Sequence, residues 1–360
     1  NSGFGGFTRA LDALPELATT GAVVTGDDWD GDGDTDLFVG GHVHPGRYPL
    51  PERSYLLENV GGTFADATER AAPDLMAPGL VGDALWADLD GDSSAELVVA
   101  GEWMPIRVFQ PTDGGSFAEV TSAFGFDGTT GWWRSLLAHD LDGDGDLDLL
   151  AGNRGLNTQM PAPATLHAAD FDANGQMESV MSYVWDGAAY PVPNRDELLR
   201  AIPFLGNRFP TYASYAIATS DSLLPAAIWN DALVLDAQTF ATTVFANNSD
   251  GTFAARPLPS KAQLAPVFAT LALDADRDGT TDLLLAGNDS SVRAQWGREQ
   301  AGQGLWLRGQ DALSFTPKPS PESGLFLPDD VRDMQLVRTS NGTVVVAATN
   351  DAALQVFGIR

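Results

Sequence analysis

The chain has no cysteine, which excludes disulfides, thiolate zinc sites and cysteine nucleophiles. It has only two lysines, Lys261 and Lys318, and 20 basic residues face 49 acidic ones for a net charge of −29. Nucleic acid and anionic lipid are therefore poor partners, because a binder must neutralise phosphates with Lys and Arg. No apolar run approaches the ~18 residues of a membrane span. The start, Asn1-Ser2-Gly3-Phe4, has neither a basic nor an apolar signal region. A removed signal and a place within a longer protein both agree with that. There is no Gly-x-Ser-x-Gly elbow and no phosphate-binding glycine loop. What is present is a 44% apolar content over 360 residues, enough for a large core. A cysteine-free chain also fits an exported protein that does not rely on disulfides.

The acidic residues are grouped. Asp28, Asp30, Asp32, Asp34 and Asp36 alternate with Gly31 and Gly33 and run into Leu37-Phe38-Val39-Gly40. Asp140, Asp142, Asp144, Asp146 and Asp148 repeat this before Leu149-Leu150-Ala151-Gly152. Asp274, Asp276, Asp278, Thr280 and Asp282 repeat it before Leu283-Leu284-Leu285-Ala286-Gly287. Two weaker copies use Asp170, Asp172, Asn174 and Glu178, and Asp88, Asp90, Asp92 and Glu96, the latter with Ser93 where glycine is expected. Oxygens at loop positions 1, 3 and 5 converge on one side of a tight turn. Glycine at position 6 permits the backbone angle the turn needs. A carboxylate at position 9 closes the shell. Calcium accepts 6–8 such hard oxygens, and without a cation the carboxylates repel one another. Three sites carry the full pattern and five are possible. The competing reading is an acidic turn that holds no metal, which fits the Asp88 copy best. An EF-hand needs Glu at position 12, but Val39, Ala151 and Leu285 stand there. The loop therefore leads into a buried strand.

A second element resembles a hairpin: Leu56-Leu57-Glu58-Asn59 to Phe64, and again Val244-Phe245-Ala246-Asn247 to Phe253. A unit is then strand A, acidic loop, strand B, strand C, turn and strand D. Such units predict an all-β protein, a β-propeller of four-stranded antiparallel blades within a single domain over residues 1–360. The spacing places blades near 19–70, 78–122, 130–186, 211–258 and 262–318, with the Asp170 loop joining strands C and D of the third. The last blade has strands at 331–337, 343–348 and 353–357, and Gly3–Arg9 supplies its fourth strand. That makes six blades, with seven as the alternative. Asn194 is expected to cap a short helix over 194–202 with Leu198, Leu199 and Ile202 inward.

These residues resemble the FG-GAP/VCBS repeats of integrin-alpha-like propellers. Gly101-Glu102-Trp103-Met104-Pro105, Gly131-Trp132-Trp133 and Gly152-Asn153-Arg154-Gly155-Leu156-Asn157 are similar to a bacterial VCBS-repeat subgroup. The resemblance implies a calcium-dependent exported propeller, often part of a larger protein, located in the periplasm, on the cell surface or secreted. It implies no single ligand.

The face opposite the acidic loops collects His42, His44, Arg47, Tyr48, Glu102, Trp103, Trp132, Trp133, Asn153, Arg154, Asn157, Asn288, Arg293, Trp296 and Arg298. Of these, His44, Arg47, Tyr48, Trp103, Trp132, Arg154, Asn157, Trp296 and Arg298 are the candidate ligand-binding set. Aromatic faces with Arg and Asn suit a glycan or protein ligand. The alternatives are that Trp132 and Trp133 pack between blades and that Arg154 and Arg298 pair with local acids. His42-Val43-His44 offers a transition-metal pair. The expected role is a recognition, adhesion or scaffold module. A polysaccharide lyase using His44 or Tyr48 as base, or a structural subunit of a surface complex, are the alternatives. No residue is assigned as catalytic.

Overall fold

A computed structural model of the chain describes residues 6, 8–292, 297–340 and 342–359. Four of the five acidic loops are followed by a strand that is buried from end to end or nearly so, and this sets the architecture. The first sheet is β1 (Gly21–Asp27), β2 (Asp36–Gly41), β3 (Tyr55–Asn59) and β4 (Phe64–Asp66), in that order. The second is β5 (Leu80–Ala87), β6 (Glu96–Met104), β7 (Arg107–Thr112) and β8 (Ser116–Glu119). A short β9 (Gly131–Trp132) pairs with β6.

The third sheet departs from the expected segmentation. After β10 (Ser135–His139) and β11 (Asp148–Gly152) the chain leaves the sheet. It builds a separate four-stranded sheet from β12 (Ala164–Ala169), β13 (Glu178–Trp185), β14 (Ala188–Pro191) and β15 (Leu233–Ala237), in the order β14-β13-β12-β15. It then returns with β16 (Thr243–Asn247) and β17 (Phe253–Pro257) to complete the order β10-β11-β16-β17. The Asp170 loop therefore joins β12 to β13 of the inserted sheet, not strands C and D of the third blade. The 211–258 segment is likewise not a blade, because its Val244–Phe253 hairpin belongs to β10 and β11. The reason is physical: Asn247 donates its backbone N–H to Asp148 Oδ1 at 2.9 Å, as Asn59 does to Asp36 Oδ1 at 2.7 Å in the first sheet.

Two sheets follow: β18 (Val267–Leu273), β19 (Asp282–Gly287), β20 (Leu305–Gln310) and β21 (Ser314–Lys318), and then β22 (Val331–Thr339), β23 (Gly342–Thr349) and β24 (Gln355–Gly358). The expected fourth strand, Gly3–Arg9, lies mostly outside the described residues. From Ala13 to Ala18 the chain runs beside the first sheet, where Ala13 accepts from Phe64 N–H at 2.7 Å. Inside the insertion, the helix Arg195–Ala201 starts at Asn194 with a capping box to Glu197 and buries Leu198.

Four apolar seams join consecutive sheets: Phe38, Leu56, Val81 and Val99; Val98, Leu149, Phe245 and Trp133; Leu150, Val244, Leu283 and Leu307; and Leu271, Leu284, Met334 and Val345. This face-to-face packing of four-stranded sheets is a β-propeller. Leu166, Trp103, Trp132 and Phe240 seat the inserted sheet against β6 and β9.

Neighbouring chain approaches the second strand closely at one register. A Cβ on Gly101 would stand 1.9 Å from Leu80 O, one on Gly287 1.8 Å from Pro266 O, and one on Gly41 2.4 Å from Arg53 O. All three obstacles are backbone. Gly101→Ala is expected to cost about 2–3 kcal/mol, as overpacking does. Gly114→Ala, where a Cβ meets nothing within 4 Å, should change stability by less than about 0.5 kcal/mol. Urea unfolding of both variants tests this, and equal stabilities would refute it.

Candidate metal and ligand sites

The five acidic loops share one conformation. The first Asp of each accepts two backbone N–H bonds. Asp28 takes Gly31 and Gly33, Asp88 takes Gly91 and Ser93, and Asp140 takes Gly143 and Gly145. Asp170 takes Asn174 and Gly175, and Asp274 takes Asp278 and Gly279. Loop positions 4 and 6 both lie at positive φ: Gly31 and Gly33, Gly91 and Ser93, Gly143 and Gly145, Ala173 and Gly175, Arg277 and Gly279. Ser93 at φ 75° follows the same path as the glycines, so the Asp88 loop is a full structural copy. Position 5 caps the turn: Asp32, Asp92, Asp144, Asn174 and Asp278 each accept the N–H two residues on.

Carboxylate oxygens in each loop gather within 4.8 Å of one another: Asp28, Asp30 and Asp32; Asp88, Asp90 and Glu96; Asp140, Asp142 and Asp148; Asp170, Asp172 and Glu178; Asp274, Asp276 and Asp282. These groups could hold metal ions. The closing acid is buried in every loop. It ties the loop to the sheet, since Glu96, Asp148, Glu178 and Asp282 accept the N–H of Leu89, Leu141, Phe171 and Ala275. Glu96 Oε1 and Asp34 Oδ1 are buried and unpartnered, as an oxygen awaiting a cation would be. Burial, reinforced by neighbouring carboxylates, pushes Asp36 and Asp148 up to about 6 and Glu96 up to about 7, and raises Glu178 and Asp282. In one loop the protein supplies its own cation. Arg308 bonds Asp276 Oδ2 and Asp278 Oδ2, both at 2.6 Å.

The opposite face differs from expectation. Trp103 is not in a loop but within β6, at φ 58° where β6 bulges against β9. Trp103 and Trp132 are buried edge to face at 5.1 Å, and Trp133 is fully buried. Arg154 is buried, lies 4.5 Å over Trp132, and bonds Glu299 Oε1 through Nε at 3.0 Å. Asn153 and Asn288 are fully buried and hold backbone groups of neighbouring loops. Tyr48 donates to Glu102 at 3.1 Å and accepts from Trp103 Nε1 at 2.6 Å. Its burial pushes its pKa up, against any use as a base. Among the candidates, His44, Arg47, Asn157 and Arg298 are exposed. Asn157 Nδ2 donates to Leu264 O at 3.0 Å. Arg293 and Trp296 lie outside the described residues. His42 Nδ1 faces Val81 O at 2.8 Å, and among the described residues neither His42 nor His44 joins a metal-ligand cluster.

Sequence reasoning missed the inner rim of this face. Register shifts in β1, β5, β18 and β22 set aside Ala22, Gly82, Phe268 and Arg332. Arg134 holds the same place before β10, since Ser135 pairs with Gly152 as Ala269 pairs with Ala286. Four of these five residues, Ala22, Gly82, Arg134 and Phe268, together with His42, line a cleft of about 270 Å³. Arg134 bonds Glu102 Oε1 at 2.7 Å, and this charge, after burial, sets the balance that keeps Glu102 below its usual pKa.

A family model described as FG-GAP-like repeat matches residues 28–99 and 88–151, so this part of the chain carries FG-GAP-like repeats. The comparison with curated protein sequences finds no match. Among solved structures, the chain is similar to an Agrocybe aegerita lectin described as recognising non-reducing terminal N-acetylglucosamine. Identity is 15%, covering 96% of this chain and 84% of that one, with a TM-score of 0.33. It is also similar to the V. cholerae biofilm matrix protein Bap1, at 14% identity over 86% of this chain and 40% of that one, with a TM-score of 0.31. An exotype rhamnogalacturonan lyase, YesX, gives 14% identity over 94% of this chain and 55% of that one, with a TM-score of 0.35. The chain thus spans about half or less of the length of the latter two.

The raised closing carboxyls make a pH prediction for metal-free protein. A carboxyl whose folded pKa exceeds its unfolded value stabilises the fold fully below the unfolded pKa, and this is lost as pH rises through the folded one. Through Asp36, Glu96 and Asp148 that window runs from the ordinary carboxylate range up to about 7. In chelator, the melting temperature should rise as pH falls from neutrality toward 5, and Glu96→Gln should flatten the trend. A melting temperature that falls over this range would contradict it.

Proposed function

We propose that this chain is a calcium-binding β-propeller, one domain over residues 1–360, acting outside the cytoplasm as a recognition or scaffold module for glycan or protein ligands. The observation that carries the metal assignment is the recurrence of one acidic loop geometry at five places. The donors are hard carboxylate oxygens with no sulfur or imidazole, which favours calcium over transition metals. Asp28, Asp30 and Asp32, with Asp34 and Asp36 beside them, would hold one ion. The sets closed by Glu96, Asp148, Glu178 and Asp282 would hold others. A bound ion neutralises carboxylates that otherwise repel, so its role is to pin each hairpin. Weak calcium sites of this kind suit the calcium-rich extracellular side, and the cysteine-free chain agrees with export.

Recognition then falls to the face opposite the calcium loops. Its exposed His44, Arg47, Asn157 and Arg298 are available to a ligand. Trp103, Trp132 and Arg154 stiffen the surface from behind, which lowers the ordering cost of binding. No helix among the described residues is long and apolar enough to cross a membrane.

Calcium should raise the melting temperature, each ion contributing about 2.7 kcal/mol when its free concentration is a hundred times Kd. Asp140→Asn with Asp148→Asn should remove one calorimetric site. An unchanged melting temperature after thorough chelation and calcium restoration would sink the metal assignment. A glycan array with Arg47→Ala and Arg298→Ala as controls tests the recognition face, and hits that survive both substitutions would place the ligand elsewhere.

A further inference from the structure

The inner rim of the face opposite the acidic loops deepens this reading. Arg134, Phe268 and Arg332 occupy the same register position at the start of three successive first strands, Arg134 one residue before its strand. The Arg332 guanidinium lies 4.2 Å from the Phe268 ring centre and that of Arg134 lies 5.4 Å from it, so both cations stand against one aromatic ring. The matching positions on the other two sheets are Ala22 and Gly82, and they leave the rest of the rim open as the cleft of about 270 Å³. Gly82 could not be larger, since a Cβ there would stand 2.7 Å from Trp133 O.

Acceptors around this rim are already used. Glu102 takes Arg134 on one oxygen and Tyr48 on the other. Asp330 takes Ser290 N at 2.9 Å, Ser290 Oγ at 2.6 Å and Gln300 Nε2 at 3.2 Å. Asp289 takes the N–H and hydroxyl of Ser291. Further along the first strands, Asp83 takes the N–H groups of Leu136 and Ala84. Donors are not all used. Arg134 Nε is buried with no partner. Arg332 gives Nη1 to Asn288 O at 2.8 Å, while its Nη2 stands 3.7 Å from Asp330 and 3.9 Å from Asp289, beyond hydrogen-bond length.

We infer that the rim binds a carboxylate carried by a small ligand of sugar size, held by Arg134 and Arg332 beside Phe268. This rests on the proposal that the face opposite the acidic loops is the recognition surface. A ligand here must bring acceptors, and two guanidiniums suit a planar carboxylate. A phosphate is disfavoured, because its second charge would meet Glu102, Asp83 and Asp333 in a chain of net charge −29. The cleft has room for one sugar-sized group.

The test is calorimetric titration of the intact chain, in calcium buffer, with galacturonate, galactose and glutarate. Galacturonate should bind and galactose should not. Arg332→Gln should weaken galacturonate by about tenfold or more, as loss of a charge-assisted pair does, with an unchanged melting temperature. Arg134→Lys, which keeps the charge beside Glu102 but loses the fork, should weaken it too. Glutarate binding as well as galacturonate would show that the carboxylate alone is read, and weaker glutarate would identify a uronate. Equal binding of galactose and galacturonate, or full affinity in Arg332→Gln, overturns the inference. An array ligand that is neutral and indifferent to Arg332→Gln would overturn it while leaving the recognition face intact. The absence of any ligand would sink both.

Discussion

A carboxylate at the start of each second strand is buried beside two further carboxylates of its own loop or, in the first loop, directly after them. Placed alone, such a group is costly. In two of the blades it accepts backbone N–H groups from two directions. Asp148 takes Leu141 of its loop and Asn247 of the third strand. Asp282 takes Ala275 and Gly309 in the same way. One side chain thus fixes the loop, the second strand and the third strand relative to each other. The price is concentrated negative charge, visible in the raised pKa values of Asp36, Glu96 and Asp148. A hard cation would relieve that repulsion. Arg308 shows that the protein can partly meet the same need with its own charge.

The same bond explains how a long insertion is accommodated. Residues 153–242 leave between the second and third strands of one blade and return to it. The blade remains intact because Asn247 finds Asp148 whatever lies between them, and its side-chain amide also reaches Leu89 O of the preceding acidic loop at 2.9 Å. The insertion repeats the acidic hairpin in its own sheet and secures itself through Trp103, Trp132 and Phe240. Residues that looked like ligand contacts are therefore the joint between insertion and disc. Buried Asn153 and Asn288 do similar work, each spending its amide on loop backbone.

The candidate sites were legible to different degrees. The acidic loops could be read from spacing because all their carboxylates lie within nine consecutive residues, and local turn geometry alone brings them together. The Asp88 copy looked weak only because Ser93 replaces glycine, and the turn imposes φ 75° on it all the same. The helix after Asn194 was readable for the same local reason, a capping box. The rim of Arg134, Phe268 and Arg332 was not readable, because those residues are more than 60 positions apart and share only a register that pairing creates.

What the sequence determined by itself is the repeating unit: acidic loop, apolar strand and Asn-bearing hairpin, each encoded in residues that touch along a short stretch of chain. Only the tertiary structure decided which hairpin joins which strand, that Trp103, Trp132 and Arg154 face inward, and that two arginines share one phenylalanine. Those outcomes depend on long-range pairing, in which a buried carboxylate or an unfilled apolar face selects its partner from anywhere in the chain. Periodicity cannot name that partner, because every repeat offers nearly the same one.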